Sequence, residues 1–435
     1  MSLDLHENCK QRLVESISTQ LSRVKVNNKM FLDRKSSIML CLAESILPER
    51  GPVKELLQQF ISESPVFDFI YESLSKELYE GQKYDSESVS MLLTELDGYE
   101  DIRSVAERLI NDFESLPWPY IMTIKFQNDF GELFASTIKD HSICDFVRLV
   151  NPTEAFISKY PLQSGIESRD RSLQSGWGLA ALYLPEQWDQ SSTYLQLDVS
   201  GFIGKYGETA PLDEAISLFK AFCGVGIALR LFKINYTYRP MPTKAKFFIH
   251  RYHEERWQIE RIHEIDSSLS DALHDLVFHD LDGTLASDDQ KIGWIRSRFE
   301  GIDCVFKNKD KAQKILLASQ WLFDSYCGKN ELLTFVQTAV VMEILLGEKS
   351  VSDLMGLGEL LRNRCAYLIG KSHKQRQELL DKFKEIYDVR SKIVHRGKSR
   401  LNLHERSLFS TLQWMCRRVI YEEIELLKED MKKDA

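Results

Sequence analysis

Apolar residues recur at helical spacing through Leu13, Ile17 and Leu21, across residues 38–47, and again from Pro52 through Leu56, Leu57 and Phe60. Residues 1–116 therefore read as a helical N-terminal region, closed by Pro117-Trp118-Pro119. From Tyr120 the texture changes to short β-type runs at 120–126, 130–138, 178–184, 194–199, 232–238, 245–250 and 257–262. A single helix is expected over 213–231, so residues 117–263 predict a middle α+β domain. Residues 264–308 are polar and mixed and read as a connector. From Lys309 the helical period returns over 312–326, 331–346, 351–369, 374–395 and 403–428, and five helices with short connections predict an all-α bundle over 309–430.

Composition narrows the setting. A chain of 435 residues exceeds one ordinary core and predicts two or three domains. Its cysteines, at 9, 41, 144, 223, 304, 327, 365 and 416, form no C-x-x-C pair. That pattern argues for reduced thiols in a cytoplasm and against a disulfide framework or a zinc ribbon. The longest purely apolar stretch, 221–229, is far short of the roughly 20 residues a membrane helix needs, and residues 1–12 are polar and mixed in charge. Neither export nor a membrane span is expected.

The net charge of −9 would by itself argue against a nucleic-acid partner, but the charge is unevenly spread. Residues 361–420 hold 15 Lys plus Arg against 5 Asp plus Glu, a net of +10, which leaves −19 on the other 375. A localised positive field is the electrostatic footprint of a polyanion binder. A charge-rich helical domain also solvates its outer faces in this way, so the asymmetry needs chemistry beside it.

That chemistry lies at Tyr387-Asp388-Val389-Arg390-Ser391-Lys392-Ile393-Val394-His395-Arg396-Gly397. Phe383, Ile386, Tyr387, Val389, Ile393 and Val394 give the run an apolar face, and Gly397 stops it. Arg390 and His395 fall roughly 140° apart around the helix and so flank a site. His395 sits in the last turn, at the negative end of the macrodipole, which suits a ring that carries a proton. An imidazole beside a guanidinium suits a phosphodiester. Cleavage of RNA by its own 2′-OH needs a proton acceptor, a proton donor and a cation on the phosphate.

Residues 310–430 resemble the HEPN superfamily of helical domains, and the run around Arg390 and His395 is similar to the R-x4-H motif of its Apea-like branch. Glu343, in Val341-Met342-Glu343-Ile344-Leu345-Leu346, and the segment Leu361-Arg362-Asn363-Arg364-Cys365-Ala366-Tyr367-Leu368-Ile369 are similar to two further family helices. The likeness covers little more than a quarter of the chain. It implies a metal-independent endoribonuclease without a cofactor, acting as a homodimer, often as a toxin or effector in bacterial conflict and defence against phage. Arg390 would then hold the phosphate and His395 act as general base or acid. Tyr387, Asp388, Ser391 and Glu343 would support them, and Lys392, Arg396, Lys398 and Arg400 would contact RNA. The chain departs from the family at Ser391, where many relatives carry a more strongly polar residue. Gly397 replaces a tyrosine that one toxin branch has modified by its antitoxin, so that style of neutralisation is not expected.

Three other patterns carry bland readings. Asp280, Asp282, Gly283 and Thr284 match the D-x-D-G-T signature of haloacid-dehalogenase-like phosphatases, but Asp271, His274 and Asp275 interrupt the strand that fold requires, and a loop is expected. His250, His253 and His263 lack an acidic partner at metal-site spacing and read as structural. Gly224-x-Gly226 lies inside a helical run with no third glycine and no preceding strand. Two function classes remain. One is an RNA-cleaving effector whose N-terminal 300 residues sense a trigger ligand or protein through the middle domain. The other is a catalytically silent bundle that serves dimerisation or RNA and nucleotide binding.

Overall fold

The computed structural model describes residues 3, 5–48, 50–87, 89–127, 132–138, 141–162, 186–204, 210–236, 244–279, 285, 287–348 and 356–434. The expected strand at 178–184, the D-x-D-G-T residues 280–284 and the start of the expected helix at 351–355 lie outside them. Three regions follow one another: an N-terminal mixed helical and β region, a central β-rich domain and a C-terminal all-α bundle.

The N-terminal region contains helices α1 (Glu7–Leu21), α2 (Arg34–Ser37), α3 (Pro52–Phe60), α4 (Pro65–Gly81) and α5 (Ile102–Glu114), with a 3-10 helix over Ile38–Ile46. Leu13, Ile17 and Leu21 are fully buried, as their spacing requires. The region is not purely helical. Strands β1 (Lys25–Asn27), β2 (Phe31–Leu32) and β3 (Met91–Leu92) form a small sheet in the order β2-β1-β3. Runs of two or three residues carry too little alternation to register as strands in a sequence.

The central domain is built on β4 (Trp118–Lys125), β5 (Ser142–Cys144), β6 (Val147–Val150), β7 (Tyr194–Gly201), β9 (Lys246–His253) and β10 (Arg256–Glu264), with the short strand β8 (Phe232–Ile234) outside this sheet. The six strands lie in the order β10-β9-β4-β7-β6-β5, and every pairing is antiparallel. Alternation sorts the faces. Tyr120, Met122, Ile124, Leu195, Leu197, Phe247 and Ile249 point inward to one core. Ile121, Val150, Tyr194 and Phe248 point the other way, where Tyr160 and Trp188 cover them. The expected strand at 130–138 is instead helix α6 (Glu132–Thr137) over its described part. Its Phe134 and Ile138, four apart, are both buried while Ser136 between them is exposed, which is helical rather than strand spacing. Helix α7 (Glu154–Lys159) follows β6, and α8 (Ala210–Ala228) fills the expected helical run.

Residues 264–308 are not a connector. They hold α9 (Ser267–Asp275), capped by Asp266, then β11 (Leu276–Phe278) paired with β8, then the 20-residue α10 (Asp288–Lys307). Ile295, Phe299, Ile302, Val305 and Phe306 bury one face of α10, a stripe that the surrounding charges masked in the sequence. The bundle continues with α11 (Gln313–Cys327), α12 (Glu331–Leu346), α13 (Leu357–Ile369), α14 (His373–Arg396) and α15 (Leu403–Asp434), close to the expected helices.

One core runs from the inner face of the sheet through α8 into the bundle, while the N-terminal region has a core of its own. Helix α8 packs against β7 on one side and α11 on the other, and it is apolar nearly all round. Its two glycines do packing work. A Cβ at Gly224 would lie 1.9 Å from the Ser319 carbonyl oxygen of α11, and one at Gly226 would lie 2.3 Å from the Phe232 ring. The Gly224→Ala protein is therefore expected to lose at least about 3 kcal/mol of stability in urea denaturation, since the obstacle is backbone that cannot rotate away.

His250 gives the fold an acid sensitivity. It is fully buried on β9, where Nε2 lies 3.0 Å from the Pro161 carbonyl oxygen and Nδ1 has no partner. Burial pulls its pKa down from 6.5 to about 4. As pH falls through 6.5 the unfolded chain takes up a proton that the folded one refuses, so stability present above 6.5 is lost progressively towards pH 4, by roughly 3 kcal/mol. Denaturation curves across this range should show that part of the acid sensitivity removed in His250→Gln.

Candidate functional site

Helix α14 carries the R-x4-H residues, and its ends are well defined. Ser372 caps the start by accepting from the Gln375 N–H, and Gly397 ends it in the left-handed conformation at φ +63°, with its N–H donated to the Lys392 carbonyl. Leu379, Phe383, Ile386 and Val389 are buried and fix the rotation of the helix in the bundle. That rotation decides what the polar residues meet.

Arg390 stands at the edge of the buried face. Its Nη2 lies 3.1 Å from Glu343 Oε1 on α12, and both side chains are about one-fifth exposed. The same Glu343 oxygen accepts a 3.0 Å hydrogen bond from the Tyr387 hydroxyl. Burial, then the Glu343 carboxylate, push the Tyr387 phenol well above its ordinary pKa, so it remains a donor. The Arg390 guanidinium carbon lies 5.8 Å from the centre of the Tyr387 ring, and its buried Nε has no partner. Phe383 stacks on Tyr387 with centroids 5.7 Å apart and planes at 17°. Gly358 of α13 lies against the same ring, where a Cβ would sit 3.1 Å from it.

His395 is elsewhere on the helix. It is exposed, and no described residue bonds its ring. Asp388, Lys392, Arg396 and Arg400 are exposed as well, while Ser391 is half-buried. Lys398 differs from the other basic residues, because its Nζ is tied at 2.9 Å to Glu405, a buried carboxylate. Glu405 also closes a reciprocal capping box at the start of α15, accepting from the Asn402 N–H while Asn402 accepts from its own. His404 adds a 2.7 Å contact to Glu385, so two polar ties pin the start of α15 to the middle of α14 and to the loop after it.

The fold thus gathers Glu343, Tyr387 and Arg390 and leaves His395 apart, within reach of solvent. Two apolar side chains on these helices are unusually open, Val394 beside His395 at 46% and Leu403 at the start of α15 at 82%. Gly358 was not singled out in the sequence. An isolated glycine inside a helical run was its signal, because such a residue commonly marks a close approach. Asn402-x-x-Glu405 was legible as a helix start. His250, His253 and His263 are spread along the β9–β10 hairpin, with His250 buried, and no group of three His, Cys, Asp or Glu among the described residues is arranged to hold a metal ion. All eight cysteines are free thiols. No helix among the described residues is long and apolar enough to cross a membrane.

Comparison of the chain with protein-family models, with curated proteins and with solved structures finds no match. The residues themselves therefore carry the functional argument.

The glycine that ends α14 offers a local check. Nothing lies within 4 Å of a Cβ at Gly397, so only backbone strain opposes a side chain there. Gly397→Ala should cost about 1 kcal/mol in denaturant titrations, with hydrogen exchange faster in the last turn that holds His395.

Proposed function

We propose that the bundle is an endoribonuclease module of the HEPN type, active as a homodimer in a cytoplasm. The observation that carries this reading is the state of Arg390. It is a half-buried guanidinium held on one side by Glu343, with donors left over, on the helix that ends at the exposed His395. Such a group can take a phosphate oxygen and stabilise the charge that develops during attack by a 2′-OH. His395 supplies or removes the proton. The reaction moves the 2′-OH proton to a base, closes a 2′,3′-cyclic phosphate and protonates the departing 5′-oxygen, so two proton carriers are needed.

One protomer offers one such histidine, on a different face of the helix from Arg390. Two copies related by a twofold axis supply two of each. The exposed Val394 beside His395 suits burial against a second copy, and the exposed Lys392, Arg396 and Arg400 suit the flanking phosphates of RNA. Lys398, already neutralised by Glu405, contributes less to RNA than its position suggests. The rest of the chain would sense the trigger and restrain the bundle, in the manner of a toxin-like or antiphage effector.

The ion pair between Arg390 and Glu343 also favours a second reading, a catalytically silent module for dimerisation or RNA binding, because it occupies one edge of the guanidinium. Purified wild type and His395→Ala, incubated with a pool of structured RNAs and EDTA, separate the two. Wild type is expected to leave 2′,3′-cyclic phosphate ends and His395→Ala none. Equal cleavage by both proteins would remove His395 from the chemistry, and RNA binding without cleavage by wild type would favour the silent module.

A further inference from the structure

We propose that Tyr387, through Glu343, is a positioning residue for Arg390: its hydroxyl fixes the carboxylate that in turn fixes the guanidinium. The inference rests on the ribonuclease reading above and deepens it.

The argument starts from what holds Arg390. An arginine side chain is long and has several free torsions, and one ion pair to one carboxylate oxygen leaves the group able to swing about that contact. Its Nε is buried without a partner, so no second bond at the inner end limits that swing. The carboxylate can rotate too. Glu343 Oε1, however, receives two donors, the Tyr387 hydroxyl at 3.0 Å and Arg390 Nη2 at 3.1 Å. Two donors occupy both lone pairs of that oxygen and leave the carboxylate one orientation that serves both. Its place is therefore set by whichever donor is itself immobile.

Tyr387 is the immobile one. Phe383, one turn earlier on α14, stacks on its ring, and Gly358 of α13 lies so close that a Cβ there would come within 3.1 Å of the ring. The chain of constraint runs from packing on α13 and α14, through a phenol, to a carboxylate on α12 and back to a guanidinium on α14. A group meant to meet charge that appears only in the transition state needs this kind of fixing, since a misplacement of a fraction of an ångström matters there far more than in ground-state binding. Binding of RNA itself draws on the exposed basic residues, which do not depend on Tyr387.

Removing the hydroxyl alone should separate these effects. In Tyr387→Phe the ring, its stack and the ion pair remain, and kcat is expected to fall about tenfold with KM unchanged. Glu343→Gln keeps an acceptor oxygen and should retain more activity than Glu343→Ala. Gly358→Ala pushes on the ring without deleting any polar group and should lower kcat in the same way, which provides a second route if Tyr387→Phe folds poorly. Tyr367→Phe, on the solvent side of α13, is the control and should leave kcat alone. Absence of cleavage by wild type would overturn the ribonuclease reading and this inference with it. Cleavage by wild type with full kcat in both Tyr387→Phe and Gly358→Ala would overturn the inference alone. A Tyr387→Phe protein with lower melting temperature and kcat and KM changed together would assign Tyr387 to stability and not to positioning.

Discussion

The crossing of α8 over α11 at Gly224 is the constraint on which most of the molecule depends. A helix axis can come this near another only where a side chain is missing, and here the missing Cβ lets the Ser319 carbonyl approach to a distance no other residue would permit. Because α8 is apolar nearly all round, it can face the sheet with one side and the bundle with the other. The sheet and the helices therefore share a single core. Lys220 of α8 and Asp324 of α11 add an ion pair at 2.8 Å along the same seam. A rearrangement of the sheet would have to move α8, and α8 cannot move without α11.

The N-terminal region is attached differently. Its own core meets the sheet through Phe69, Trp118 and Phe202, which pack edge-on around β4. Beside them Lys76 of α4 pairs with Glu260 of β10, and Arg251 lies 4.2 Å over the Trp118 ring. This contact is smaller and more polar than the seam around α8, so the two joints of the chain differ in kind.

Within the bundle the burial of α14 divides the R-x4-H motif into two environments. Arg390 falls at the border of the buried face, about one-fifth exposed and 3.1 Å from Glu343. His395 falls in the last turn on the open side, where it meets solvent and is free to meet a second molecule. The motif is thus half buried and half exposed within one chain.

The sequence by itself determined the local elements whose signals are local. Apolar spacing marked α1, α3, α11, α12, α14 and α15, and the strands β4, β7, β9 and β10, because burial of one face imposes a period that does not depend on what covers it. Gly397 marked the end of α14, and the residue types at 390 and 395 marked the candidate chemistry. Tertiary structure decided everything that depends on a neighbour distant in the chain. It turned 264–308 from a polar connector into α9, β11 and α10, since the charges lie on faces whose other side is buried. It turned residues 132–137 from strand to helix and built a small sheet from strands too short to show a period. It also placed Glu343 against Tyr387 and Arg390, and tied Lys398 to Glu405. Spacing along a chain fixes which residues share a face. Only the packing of one helix against another fixes what that face meets.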